Sequence, residues 1–265
     1  MGRNSTNILL ASALLAGALC GADFQWQGQL MPGQLIDIQN LRGSIVATGG
    51  PGNMATVTAH NTGKMSDPSS VSIQVVPYSG GVVFCAIYPD NDPKHPNSCN
   101  PPGKSTNLYD NNNDVEVNFT VVVPQAVLLS ANTLTGDVQA TGLTAHVDAR
   151  VLEGNITIST SASAQANSSH GSVTAVTGTT QWKGTLSYSA RGGNLDLQIP
   201  ADANVMVEAS AFFGSIVSDF PLTIAPTVGG NSTMAHGTIG AGGRVLKLSA
   251  SNGNIALHKG PPSTH

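Results

Sequence analysis

The sequence predicts an all-β protein in a single domain, a β-solenoid or β-helix-like stack of short strands, and three observations predict it. The first is composition: 30 of 265 residues are glycine, 5% are aromatic and only 10% are charged, against about 25% charged in an average soluble protein. Ser (26), Thr (23) and Asn (21) meet the water instead, which suits thin layers and many tight turns better than a helical bundle. The second is period. Beyond Ala22 no stretch of a dozen residues keeps apolar positions at helical spacing without a Gly, Pro or β-branched interruption, whereas alternation with period two recurs throughout. The third is repetition. A glycine, a small polar residue and an aliphatic one recur as Gly136-Asp-Val138, Gly154-Asn-Ile156, Gly171-Ser-Val173, Gly193-Asn-Leu195, Gly214-Ser-Ile216 and Gly253-Asn-Ile255. Gly43-Ser-Ile45 is an earlier copy and Gly237-Thr-Ile239 a candidate eighth. The alternative architecture is an antiparallel β-sandwich of hairpins, because Asn252-Gly253 is by itself a hairpin turn signal.

Taken in order, Met1 to Ala22 carry one cation, Arg3, then the apolar run Ile8 to Cys20, then small residues. This reads as a secretory signal over residues 1–22, cleaved after Cys20 or Ala22. The run of 13 residues is short of the roughly 20 that a spanning helix needs, and no later stretch approaches that length, so no transmembrane helix is expected in the mature chain. The domain then extends over residues 23–260, with a disordered tail at 261–265. Strands are predicted at Leu35 to Ile38, Ser44 to Thr48, Ala55 to His60, Val71 to Val76, Gly81 to Ile87 and Val115 to Val123, with Pro77, Pro89 and Pro124 at strand ends, where a missing N–H costs least.

Export leaves Cys85 and Cys99 as a pair flanking a polar, proline-rich segment without apolar periodicity. The simplest reading is a disulfide stapling one long excursion. Neither a CxxC spacing nor a nearby histidine supports a zinc site.

In the second half the glycines are 18, 17, 22 and 21 residues apart from Gly136 to Gly214, room for about two strands of roughly 17 Å and their turns. Glycine suits such a turn because it reaches positive φ, and the Asp, Asn or Ser beside it can bond its own backbone. Partner strands alternate at Ala145 to Val151, Thr185 to Ser189, Val205 to Glu208 and Val245 to Leu248. A unit this small cannot bury its own face, so stacking must supply the core. Val138, Ile156, Val173, Leu195, Ile216 and Ile255 are expected in apolar ladders.

Several motifs together carry a resemblance: Phe24-x-Trp26-x-Gly28 with Pro32-Gly33, Leu41-Arg-Gly-Ser-Ile45, Gly81-Val-Val-Phe-Cys85 leading into Tyr88-Pro89, and Asn113-Asp-Val115. Phe119-Thr-Val-Val-Val-Pro124, the glycine turns and Gly237-Thr-Ile-Gly-Ala-Gly-Gly243 continue it. Over roughly Phe24 to Lys259 the chain resembles the bacterial "putative adhesin" domains built of β-strand repeats. The resemblance implies an exported, solenoid-like, non-catalytic protein. Where relatives repeat Thr-Val-Asn-Gly, this chain varies, as in Leu134-Thr-Gly136 and Phe212-Phe-Gly214.

Candidate chemistry is sparse. Gly103-Lys-Ser-Thr106 looks like the end of a phosphate loop, but it lacks the earlier glycine, the strand and the helix that a P-loop needs. Gly240-Ala-Gly-Gly243 lacks the third glycine of a dinucleotide turn and reads as a tight turn between coils. Asp110-Asn-Asn-Asn-Asp114 offers alternating oxygens, with Asp90 and Asp92 in reach, yet Val115 and Val121 occupy the glycine and bidentate Glu positions of a calcium loop, so a solvated turn is expected. The seven histidines, His60, His95, His146, His170, His236, His258 and His265, show no metal spacing. Asp137, Asp148, Glu153 and Arg150 are near in sequence and could line a groove, as carboxylates and bases do in polysaccharide-active β-helices.

With net charge −4 and no basic cluster among six Lys and five Arg, a nucleic-acid partner is not expected. The reading is therefore an exported, non-catalytic structural or cell-surface interaction protein, adhesin-like, without catalytic, metal or cofactor-binding residues. Its polar face would meet an envelope protein or carbohydrate in the periplasm, at the outer membrane or outside the cell. An envelope-polysaccharide-active lyase or hydrolase is the alternative enzyme reading, and a periplasmic partner of a signalling system a third. Phe24 and Trp26 are expected to cover one end of the stack.

Overall fold

A computed structural model describes residues 23–89, 94, 96–179, 182, 184–227 and 230–263. The predicted leader with Cys20, and Asp90, Asp92, His95 and His265, lie outside the described residues. In chain order the strands are β1 (Asp23–Gln29), β2 (Leu35–Gln39), β3 (Ile45–Gly49), β4 (Met54–Thr62), β5 (Ser72–Tyr78), β6 (Gly81–Ile87) and β7 (Glu116–Val123). There follow β8 (Leu128–Thr135), β9 (Val138–Leu143), β10 (Val147–Glu153), β11 (Ile156–Thr160), β12 (Ala164–His170), β13 (Val173–Thr177), β14 (Leu186–Ala190) and β15 (Leu195–Pro200). The last are β16 (Val205–Phe212), β17 (Ile216–Ser218), β18 (Thr223–Pro226), β19 (Ser232–Ile239), β20 (Arg244–Ala250) and β21 (Ile255–Gly260). No helix among the described residues is long and apolar enough to cross a membrane.

The strands form two sheets. Sheet A runs β1-β4-β7-β3-β9-β11-β13-β15-β21-β17, and sheet B runs β18-β19-β16-β20-β14-β12-β10-β8-β2-β6-β5. From β3 to β17 in sheet A, and from β6 to β20 and on to β16 in sheet B, every pairing is parallel. Each coil contributes one strand to each sheet, as β8 with β9, β10 with β11 and β12 with β13, which is the solenoid expected. Antiparallel pairing of the alternative sandwich type is confined to the two ends.

Alternation decides what is buried. On β11 the pattern Ile156 in, Thr157 out, Ile158 in, Ser159 half out repeats on its neighbours, so equivalent aliphatics from successive coils pile between the sheets. One inward row of sheet A reads Phe119, Ile45, Val138, Ile156, Val173, Leu195, Ile255 and Ile216, all buried. Each such side chain contributes about 1.5–3 kcal/mol by leaving water. The predicted ladder residues thus share one row, but not in sequence order. The chain lays down β16 and β17, turns back through β18 and β19, and inserts β20 and β21 between them and the β14–β15 coil, so Ile255 lies between Leu195 and Ile216.

The repeated glycines stack at the corner from sheet B to sheet A. A Cβ at Gly136 would lie 2.2 Å from the carbonyl oxygen of Gly43, one at Gly154 2.2 Å from that of Gly136, and one at Gly171 2.0 Å from that of Gly154. Gly193, Gly253 and Gly214 continue the column in that order. Within this column only Gly43, Gly136 and Gly154 have positive φ. At the others, close backbone approach between rungs excludes a side chain, a stronger reason than the turn conformation expected from sequence. The polar residue after each glycine also differs from expectation: its side chain bonds the next rung instead of its own backbone. The Asn155 N–H donates to Asp137 Oδ1 at 2.7 Å, the Ser172 N–H to Asn155 Oδ1 at 2.9 Å, and the Asn194 N–H to Ser172 Oγ at 3.1 Å. The Asn254 N–H donates to Asn194 and the Ser215 N–H to Asn254, both at 2.9 Å. Gly237 is no eighth copy, because it lies inside β19 and pairs antiparallel with β16.

The ends are closed differently. At one end β1 is the outermost strand of sheet A, and Phe24 and Trp26 turn inward to pack edge-on against Phe84 of sheet B, with ring centroids 6.2 and 5.0 Å away. At the other, Phe220 is buried where the chain crosses from β17 to β18. In the tail expected at 261–265, the Ser263 N–H and Oγ donate to Asp202 at 2.8 and 2.9 Å, and residues 264–265 lie outside the described residues.

Candidate functional site: two outward sheet faces

Parallel register copies each outward side chain into a row running along the stack, and the two sheets present rows of opposite character. On sheet B, one row runs Gln39, Asn132, Arg150, Asn167, Ser189, Ser249 and Ser210. Beside it run Asp37, Ser130, Asp148 and Gln165. These groups are tied to one another: Arg150 donates to Asp148 at 2.7 Å, Gln165 to Asp148 at 2.8 Å, Gln39 to Asp37 at 2.8 Å and Asn132 to Ser130 at 2.9 Å. Asp37 is buried, and desolvation pushes its carboxyl above the ordinary value despite those donors.

Residues 96–109, after β6, form a wall on this face. Cys85 and Cys99 are joined as expected, with Cα atoms 5.8 Å apart. Both are buried with Val83, under Tyr78, Ile87 and Leu108. Ser98 and Asn107 pair across the loop, and the Tyr88 hydroxyl ties its base to the Val115 carbonyl at 2.7 Å. Between this wall and the exposed leucines Leu134 and Leu152 lies an open groove of ≈ 470 Å³ whose polar lining includes Gln39, Asn132, Arg150 and Asn167.

Of the four charged residues expected to share a groove, only Arg150 lines it. Asp148 is its partner on the same strand face. Asp137 belongs to the corner ladder, and Glu153 closes its strand at the corner, where its carbonyl accepts the Gly136 N–H at 2.9 Å. Asp110 and Asp114 also part company. Asp110 takes the Arg42 guanidinium at 2.6 Å. Asp114 accepts the backbone N–H groups of Ser66, Met65 and Lys64 at 2.7, 2.9 and 3.2 Å, which hold its carboxyl down at about 2. Among the described residues no three of His, Cys, Asp and Glu converge as metal ligands. Thr106 of the phosphate-loop lookalike closes a small turn on the Asn100 N–H at 3.0 Å. His60 pairs with Asp23, His258 with Asp219, and His146 with Ser163, with burial pushing the His146 imidazole down.

Sequence reading missed Asp37 and the amide row. Asp37 was legible as the one polar residue inside Leu35-Ile36-Asp37-Ile38. The row was not, because Gln39, Asn132 and Asn167 come from strands separated by tens of residues.

Sheet A is different. Two of its outward rows read Thr58, Thr120, Val46, Gln139, Thr157, Thr174 and Thr56, Val122, Thr48, Thr141, with a bulge beyond Thr141 where β9 meets β11; a third outward row begins with the paired Asp23 and His60. From β4 to β13 the first two rows hold no charged side chain. Among the described residues only Thr58 uses its hydroxyl within the row, donating to the Thr120 carbonyl at 3.5 Å.

Two sheets of stacked parallel rungs, a glycine corner and repeated outward rows define a β-solenoid of the kind that presents extended surfaces. The chain belongs to the family Toastrack DUF4097, whose model matches residues 100–258. No curated protein matches it. Two crystal structures are similar. One, from Clostridium sporogenes, described as a "putative cell adhesion protein", is 12% identical with TM-score 0.43, covering 90% of this chain and 100% of that one. The other, from Bacteroides fragilis, described as a "putative adhesin", is 11% identical with TM-score 0.28, covering 89% and 96%.

Proposed function

We propose that this protein is an exported, non-catalytic, adhesin-like surface-interaction protein whose ligand, an envelope glycan or protein, lies along the groove on sheet B. The observation that carries the reading is the ≈ 470 Å³ groove itself, with amides and one guanidinium along a leucine-edged floor and a disulfide-stapled wall. A repeated amide row binds an extended ligand through many weak contacts, each modest after desolvation. The buried Cys85–Cys99 bond supports an oxidising compartment outside the cytoplasm. Mutual bonding of Asp148, Arg150 and Gln165 supports a holding role, since groups already paired are poorly placed to move protons.

One observation favours the enzyme reading. Asp37 and Asp148 face outward two strands apart, about 10 Å between backbones, and burial raises the Asp37 carboxyl as a general acid requires. A glycan-array screen run beside a reducing-sugar assay separates the two. Stable binding that Arg150→Ala and Asn132→Ala weaken, without sugar release, supports the proposal. Sugar release abolished by Asp37→Asn would replace it.

A further inference from the structure

The outer face of sheet A carries a separate function, and we propose that it binds ice. A surface that holds water in a crystalline array needs groups on a fixed two-dimensional grid, unspent hydrogen-bonding capacity, no charge and a rigid base. The parallel stack supplies the grid: outward side chains repeat at about 4.8 Å from strand to strand and about 6.7 Å along each strand. Hexagonal ice repeats its oxygen positions on the prism face at comparable spacings.

The hydroxyls are unspent. Thr58 and Thr120, then Thr157 and Thr174, are exposed along one row with Val46 and Gln139 between the two pairs, and the exposed Thr48 and half-exposed Thr141 are neighbours in the second. Apart from the long bond from Thr58, no hydroxyl of these rows is committed within the protein among the described residues. The threonine methyls and the interleaved Val46 and Val122 offer water no competing partner, so water over them bonds to its neighbours instead. Charge is missing from these rows until Asp196 on β15, where the row leaves the neutral stretch. A carboxylate or ammonium would orient water radially and break a lattice. The base is rigid because inward residues of the same strands, such as Ile45, Ala47, Val121 and Ala140, are fully buried.

The same features disfavour a macromolecule here. Sugar rings seat on aromatic faces, and the aromatics of these strands, Trp26 and Phe119, turn inward. Within the two neutral rows, acidic or basic partners find no opposite charge; the Asp23–His60 pair and Asp196 lie at their margins. Sheet B, with its cross-bonded ions and groove, provides a control surface on the same molecule.

The test uses the purified protein, the double variant Thr120→Lys/Thr157→Lys, and Ser187→Lys on the outer face of sheet B. Fluorescently labelled protein is offered to a slowly growing ice hemisphere, and ice recrystallisation is followed in frozen films. Wild type and Ser187→Lys should be taken into the ice several-fold over an unrelated soluble protein and should slow recrystallisation. The double variant should lose both effects while melting at the wild-type temperature. Exclusion of wild type from ice, or uptake that the two lysines leave unchanged, overturns the proposal. So does a wild type that leaves ice alone but binds a neutral polysaccharide in a lysine-sensitive way. Loss of glycan binding through Arg150→Ala bears only on the groove, so the two functions fail separately.

Discussion

Replacing Gly171 by alanine isolates the feature that sets the rung spacing. Its φ lies outside the left-handed region, so alanine can adopt the backbone, and the cost arises from space alone. The new Cβ would sit 2.0 Å from the Gly154 carbonyl oxygen, and relieving it to a tolerable contact means parting the rungs by about 1 Å. The Ile156 N–H to Ser172 carbonyl bond, now 2.9 Å, would stretch to about 3.9 Å and cease to be a hydrogen bond. The Gly154 N–H to His170 carbonyl bond of 3.0 Å would go with it. At about 1 kcal/mol for each bond, and about 1 kcal/mol for loosened packing of Ile156 on Val173, the loss is about 3 kcal/mol. A smaller alanine gain through the unfolded chain, about 0.5 kcal/mol, offsets part of it. Gly142→Ala is the matched control: φ there is +66 and nothing lies within 4 Å of the added Cβ, so only backbone strain of about 1 kcal/mol is expected. Urea unfolding followed by circular dichroism measures both. If Gly171→Ala proves no more destabilising than Gly142→Ala, the corner glycines are conformational devices and the close-approach argument is wrong.

Removing the staple with Cys85→Ser/Cys99→Ser should cost about 3 kcal/mol for a loop of this length; thermal melts in the presence and absence of reductant should show wild type falling to the variant. Trp26→Ala should cost about 2 kcal/mol by uncovering Phe84, read as a lower urea midpoint. Asp114 titrates in the fold at about 2, below its free value of 3.8, so its contribution is present above the free value and lost as pH falls toward 2. Asp114→Asn should therefore be less stable at pH 7, and melts at descending pH should show the gap to wild type closing across that window. Asp37 has the opposite sign. Its raised carboxyl means the native state holds the proton longer than the unfolded chain, so wild type loses stability as pH rises from the free value of 3.8 through the raised one. Asp37→Asn should melt higher than wild type at pH 7, with the difference vanishing below the free value.

Much of the stack was legible because its cause is local. Alternation along β11 or β15 places side chains by the pleat alone, and the glycine spacing marks corners whatever the order of coils. The disulfide was equally readable, since only Cys85 and Cys99 follow residue 22. The charged cluster was not. Asp137, Asp148 and Glu153 are close in sequence, but the corner between strands turns Asp137 onto the ladder while Asp148 stays on the sheet B face. The groove needed the excursion to fold over strands that are remote in sequence. The threonine rows on sheet A were visible only as separate residues.

By itself the sequence determined the class of strand, the inward residues, the corner positions and the staple, because each follows from side-chain alternation, backbone crowding or cysteine count within a short segment. Tertiary structure alone decided that the last coil enters between two earlier ones, and that the middle strands of sheet B carry cross-bonded charge outward while those of sheet A carry free hydroxyls. The physical reason is register. A row exists only when separate strands are placed side by side, and the hydrogen bonds that align them join residues that the linear chain keeps apart.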